Sequence, residues 1–142
     1  MKGVIRVIEL TREEICCFVD ESLSNKQYNE ELLFTLSLKT IKRVKEILHF
    51  NLSGYMGVIS SHSVRHIKRG HPNDVHHICE ILEIIKNFSE VRPNNRRDPK
   101  TGSNLVSLEF YKKFNGQTVK LVKLKIHREK RLELKTLFIK DE

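Results

Sequence analysis

The last third of the chain alternates. Val106, Leu108 and Phe110, then Val122, Leu124 and Ile126, then Leu132, Leu134 and Phe138 recur at every second position. A helix would scatter such a set around its circumference, whereas a strand delivers it to one face. Asn115-Gly116 separates the first two runs, a dipeptide suited to a tight hairpin turn, and Glu129-Lys130 serves as a turn before the third. The pattern predicts an antiparallel meander of strands at 105–114, 118–128 and 131–140. A sheet that is apolar on one face must be covered, and the upstream chain has to supply the cover. The expectation is an α+β fold, with N-terminal helices packed on a curled antiparallel sheet.

The upstream segments fit that role. VIRVIE at 4–9 reads as a short strand. Thr11 opens TREE, a capping box in which the Thr11 hydroxyl and the Glu14 carboxylate each satisfy the other's backbone amide, so a helix is expected over 12–23. Residues 25–29 read as a turn. Leu38, Ile41, Val44 and Leu48 form the stripe of a longer helix drawn from Glu30 to about Phe50, with Lys39, Lys42, Arg43 and Glu46 on another, solvated face. A short strand around YMGVI runs into SSHSVRHIKRG, a helix capped by Ser60 or Ser61 and stopped by Gly70. A second helix starts near Pro72 and carries Val75, Ile78, Cys79, Leu82 and Ile85 inward. RPNNRRDPKTGSN at 92–104 reads as a basic loop. The whole, 1–142, is expected to be one domain: a mainly helical part over 1–53 and a core over 54–142.

Formal net charge is +8, which favours polyanions such as RNA or DNA as partners. Cys16, Cys17 and Cys79 are odd in number and form no CxxC. That argues against a disulfide framework or a zinc knuckle and for buried thiols in a reducing cytosol. No run approaches the roughly 20 apolar residues of a membrane span, and the first residues soon run into charge rather than reading as a signal peptide. A cytoplasmic protein without a membrane partner is expected.

Residues 60–77 hold His62, His66, His71, His76 and His77, among Arg65, Lys68 and Arg69. His62 and His66 stand four apart, so their rings share one helix face. Imidazole titrates near neutral pH and can take or give a proton, while cations steady a phosphate. The same pair could instead hold two positions on a metal, with His71, His76 or His77 to complete the set, although none of these makes a convincing third ligand and no HExxH glutamate accompanies the pair. Two helices around Gly70 also have the outline of a helix–turn–helix. His76 reads as solvated and His77 as structural. Lys123, Lys125 and His127 share one strand face. Thr136 interrupts an otherwise apolar strand face, where its hydroxyl needs a partner. Arg96 and Arg97 lie in the basic loop.

A short strand running into SSHSVRHIKRGH, then DVHHICEILEIIKNFSEVRP, then three strands ending in RLELKTLFI resembles the phage- and mobile-element-borne nuclease domains grouped with barnase, EndoU, colicin RNases and RelE, over roughly residues 54–140. The resemblance implies a metal-independent endoribonuclease of toxin or effector type, needing no cofactor. It would act on RNA, tRNA included, with an antitoxin or immunity protein as a candidate partner. It places the helix histidine at His66, with His62 second, and the last-strand hydroxyl at Thr136. Lys68, Arg65, Lys123 and Arg128 become candidate cations, and Arg69, Lys125, Arg96 and Arg97 extend the nucleic-acid surface. Glu109 is the one sheet carboxylate to consider. A non-catalytic nucleic-acid-binding module and a zinc nuclease built on the histidines remain the alternatives.

Overall fold

The computed structural model describes residues 3–6, 10–97, 100, 104–114 and 118–141, with side chains described at 10–95, 100, 106–113 and 122–140. Along the chain come β1 (Gly3–Arg6), α1 (Arg12–Ser24), β2 (Glu30–Thr35), α2 (Leu38–Leu48), β3 (Met56–Ser60) and α3 (Ser61–Gly70). A 3₁₀ turn (Val75–Glu80) runs into α4 (Ile81–Lys86), and β4 (Glu90–Arg97), β5 (Asn104–Phe114), β6 (Thr118–His127) and β7 (Arg131–Asp141) follow. The strands form one sheet in the order β1-β2-β3-β7-β6-β5-β4. β5 to β7 are antiparallel neighbours, as the alternation predicts, and β4 pairs antiparallel with β5 beside them. The parallel joints β1/β2 and β3/β7 make the sheet mixed within the expected α+β class.

Several local expectations are corrected. Glu30–Thr35 is a strand rather than the start of a long helix; Leu32, Leu33 and Phe34 are consecutive and all buried, as in a strand covered on both faces. Helix α2 starts afresh at Leu38, where the Ser37 hydroxyl accepts from the Thr40 amide. The first part of the 92–104 loop, through Arg97, belongs to β4, an edge strand, where the N–H that Pro93 lacks is not needed by a second neighbour. The helix expected after Pro72 is a 3₁₀ turn followed by the short α4. Cys16 and Cys79 are joined by a disulfide, with Cα atoms 5.0 Å apart, while Cys17 is free and exposed. The Thr11–Glu14 capping box is present. The Asn115-Gly116 turn lies outside the described residues.

Helices cover one face of the sheet. Val91, Phe110, Val122 and Leu137 line up across four strands on that face, and Leu108, Leu124 and Leu134 form the next row. Ile15, Val64, Ile67, Ile78 and Ile84 close over them from the helices. A methyl group at Gly57 would overlap the ring of Phe34, so this glycine is fixed by close packing between β3 and β2. Across β4 to β7 the opposite face carries mostly polar side chains, whereas β2 and β3 are buried at successive residues.

Helix α3 stands where the sheet changes partners. β3 pairs with β7 along Arg131–Glu133, and no other strand among the described residues lies along the rest of that β7 edge. The end of α3 and the loop after it take the place. The Ile139 amide donates to Asp74 Oδ2 at 3.1 Å, and the His71 ring stacks on Phe138 with centroids 4.8 Å apart and planes at 18°. An otherwise open strand edge is thereby satisfied. At its other end α3 is capped by the Ser60 hydroxyl, which accepts from the Ser63 amide.

Candidate active site

The last strand is not a plain alternating ladder. Between β6 and β7 the register slips at Lys123/Leu124: Lys123 faces Thr136, but Leu124 faces Leu134. Lys135 is the extra residue of a β-bulge, and a bulge lets two successive residues lean to one side. Leu134 and Leu137 both reach the core as a result, and Lys135 and Thr136 both reach the open face. Thr136 therefore does not interrupt an apolar face, as regular alternation implies; the bulge carries it to the polar one.

On that face, cross-strand register builds parallel rows. Arg92, Glu109, Lys123 and Thr136 make one. Asn94, Ser107, Lys125 and Glu133 make the next. A cleft of about 290 Å³ opens over both. Lys123, Lys125, Ser107 and Asn94 line its floor, Lys135 and Thr136 its β7 side, and His66 reaches it from α3. One imidazole, three ammonium groups and two hydroxyls so converge on a space large enough for a phosphodiester and part of a nucleotide. That is a donor set suited to an anion whose charge grows during reaction.

Carboxylates border the cleft. Glu109 Oε2 accepts from Asn94 Nδ2 and Glu109 Oε1 accepts from the Tyr111 hydroxyl, each at 3.2 Å. Burial, and then the charge of Glu109 and its hydrogen bond, hold the Tyr111 phenol above its ordinary pKa, so it stays a donor to Glu109. Beyond Lys125 on the same strand, His127 Nε2 lies 2.9 Å from Glu133 Oε1. Three larger clefts are less suited to a phosphate: one of about 400 Å³ sets Glu80 and Glu83 against Arg12 and Lys86, and the other two measure about 460 and 480 Å³. The first of these two is lined by Leu10, Leu82 and Ile85 with only Lys86 charged, and the second is rimmed by Glu13, Glu14 and Glu21.

Of the residues singled out in the sequence, the cleft gathers His66, Thr136, Lys123 and Lys125. His62 sits one turn before His66 on α3 and is exposed. Lys68 and Arg69 are exposed on α3, and Arg128 is exposed in the turn after β6; none of the three lines the cleft. Arg65 turns away from it. Its Nε donates to the Ser22 carbonyl and its Nη2 to those of Asn25 and Tyr28, so its guanidinium holds the end of α1. Arg96 and Arg97 belong to β4, and their side chains lie outside the described residues. His76 pairs with Asp20 and His77 with Glu80. Among the described residues, no group of three or more His, Cys, Asp and Glu side chains is placed to hold a metal ion, and no helix is long and apolar enough to cross a membrane.

The family model described as phage-Barnase-EndoU-ColicinE5/D-RelE like nuclease 3 matches residues 37–142, about three-quarters of the chain. The chain belongs to this nuclease family. Comparison with curated proteins and with solved structures gives no match. Every residue lining the cleft falls inside the matched segment of this nuclease. Sequence reasoning missed Lys135, Ser107 and Asn94. Lys135 was hidden because only the bulge puts it beside Thr136, and Asn94 because its strand resembles a loop. Ser107 carried a legible signal, since it alternates with Val106 and Leu108 and so had to face away from the core.

Proposed function

We propose that this nuclease is a metal-independent RNA endonuclease that cleaves by attack of the ribose 2′-hydroxyl and leaves a 2′,3′-cyclic phosphate. The observation that carries the reading is the single cleft shared by His66, Lys123, Lys125, Lys135 and Thr136. In the reaction a base takes the 2′-hydroxyl proton, the 2′-oxygen bonds to phosphorus, the P–O5′ bond breaks, and an acid protonates the departing 5′-oxygen. His66 performs one of the two proton transfers. Its complement is either His62, one turn away on α3, or Glu109, beside Lys123 on the sheet. The lysines neutralise the phosphorane and Thr136 orients a non-bridging oxygen. The chemistry of a base, an acid and fixed cations needs no metal-bound water. The colicin and RelE members in the family's name support a toxin or effector role in the cytosol against cellular RNA such as tRNA, countered by an antitoxin or immunity protein.

The test is digestion of total RNA and of tRNA in the presence of a chelator, with the new 3′ ends mapped. Cyclic phosphate ends are expected. His66→Ala should lower kcat by at least about a hundredfold while RNA still binds. Loss of the acidic or basic limb of the pH–rate profile in His62→Ala or Glu109→Gln identifies the partner. Activity that vanishes with chelator and returns with zinc would favour a zinc nuclease. Salt-sensitive binding without strand breaks would favour a binding module.

A further inference from the structure

The groove of about 480 Å³ beside α1 carries a charge opposite to that of the molecule around it. Glu14, Cys17, Phe18 and Glu21 stand at i, i+3, i+4 and i+7 on α1 and so share one face of the helix. Phe18 and Leu32 are buried and make the floor, and the Tyr28 ring meets Phe18 edge-on with centroids 5.8 Å apart. Glu13, Glu14 and Glu21 are exposed on the rim, and among the described residues no lysine or arginine lines the groove. The chain as a whole has 26 Lys and Arg against 18 Asp and Glu, so the sign is inverted here.

The helix accounts for part of this rim. Glu13 and Glu14 lie in its first turn, where the macrodipole favours carboxylates, and Glu14 also closes the capping box. It does not account for Glu21, in the last turn, where a negative charge meets the negative end of the dipole. We propose that the groove docks a cationic segment of another protein: a peptide with a large apolar side chain on the Phe18–Leu32 floor and Lys or Arg on either side of it against the glutamates. Glu14 and Glu21 are separated by about 10.5 Å along the helix axis. Three or four extended residues cover that distance, and a single small cation does not. An apolar floor supplies affinity, while a charged rim selects the partner and fixes its register. On a molecule of net charge +8 the rim draws a cationic partner to this groove while the basic surface elsewhere repels it. Nucleic acid is turned away for the same reason, so the site is independent of the nuclease reading. Its lining residues all precede residue 37, outside the family-matched segment.

The test uses the full chain with its disulfide intact. Random dodecapeptides displayed on phage are selected on it and counter-selected on the Glu13→Lys/Glu21→Lys protein. Enriched sequences should carry a large apolar residue with Lys or Arg a few positions to either side. A synthetic copy of one should bind the double lysine variant at least about tenfold more weakly. Glu13→Gln/Glu21→Gln should weaken it by a smaller factor in the same direction. Replacing the peptide's cations with glutamate should restore binding to the lysine variant. Glu13 and Glu21 are exposed, so both variants should melt as the parent does. Cys17 reports occupancy directly, because it lines the groove as a free thiol while Cys16 and Cys79 are joined to each other. Bound peptide should slow its alkylation severalfold. Absence of any peptide enriched over the lysine variant, an acidic or purely apolar consensus, or a Cys17 that reacts at its free rate with peptide bound would overturn the proposal. So would dimerisation of the chain alone that shields Cys17 and is lost in the lysine variant, since that assigns the groove to a second copy.

Discussion

Arg65 shows how a residue that looks like part of the chemistry can serve the fold instead. It stands next to His66 in a run of basic residues, and charge alone marks it as a phosphate ligand. Helix α1 has no basic residue in its last turn, and the carbonyls at a helix end carry partial negative charge with no intrahelical partner. The Arg65 guanidinium, supplied from α3, meets the Ser22, Asn25 and Tyr28 carbonyls at that end. A planar fork with several donors does this; a lysine ammonium cannot span the same three positions. Arg65→Met should therefore destabilise the protein by roughly 2 kcal/mol, the scale of losing hydrogen bonds from a charged donor. Cleavage per folded molecule should stay within about twofold of the parent enzyme. Urea melts and active-site-normalised rates measure the two. A large fall in rate with unchanged stability would return Arg65 to the substrate.

At the scale of elements, legibility followed the number of faces a segment buries. The meander β5–β7 was readable because one face is core and the other open, so its side chains alternate. β2 is buried along its middle and sits between polar flanks, and ELLFT followed by LSLKTIKRV runs on like one helix. β4 was hidden by proline and asparagine, which an edge strand tolerates. The bulge at Lys135 was illegible for a deeper reason: alternation counts residues along one strand, whereas a bulge is a relation between two. Its function can still be tested. Deleting Lys135 restores an even ladder in which Leu134 and Leu137 keep the core and the Thr136 position still faces the cleft. The protein should remain folded, with stability changed by no more than about 2 kcal/mol. It loses one of the three lysines of the cleft and straightens the strand beneath Thr136, so kcat/KM should fall at least about tenfold. Thermal melts and cleavage rates decide; a fully active deletion would mean that the paired Lys135 and Thr136 side chains do no chemistry together.

The family match begins at residue 37, yet covalent, polar and apolar contacts cross that point. The Cys16–Cys79 disulfide ties α1 to the 3₁₀ turn. The Ser22 hydroxyl donates to Ser61 Oγ, which also accepts from the Glu30 amide, so α1, β2 and the first residue of α3 share one buried polar contact. Arg65 adds a second link from α3 to α1. Beneath them, Ile15, Phe18, Val19, Leu32, Phe34 and Leu36 are all part of the buried core. Removing residues 1–36 would strip these six side chains from the core that Val64 and Ile67, on the inner face of the helix that carries His66, belong to. At about 1.5–3 kcal/mol for each buried apolar side chain, the loss is roughly 10 kcal/mol or more, comparable with the whole stability of a typical domain. It would also bare the β2-facing edge of β3. The fragment 37–142, despite containing every residue that lines the cleft, should show collapsed proton chemical-shift dispersion, no cooperative melt and no cleavage. Full-length protein with Cys16→Ser and Cys79→Ser, which removes only the covalent tie, should stay folded and cut RNA, with a lower Tm. A fragment that melts cooperatively and cleaves would show that the first 36 residues are an appendage, and that α3 needs no neighbour beyond the sheet to place His66.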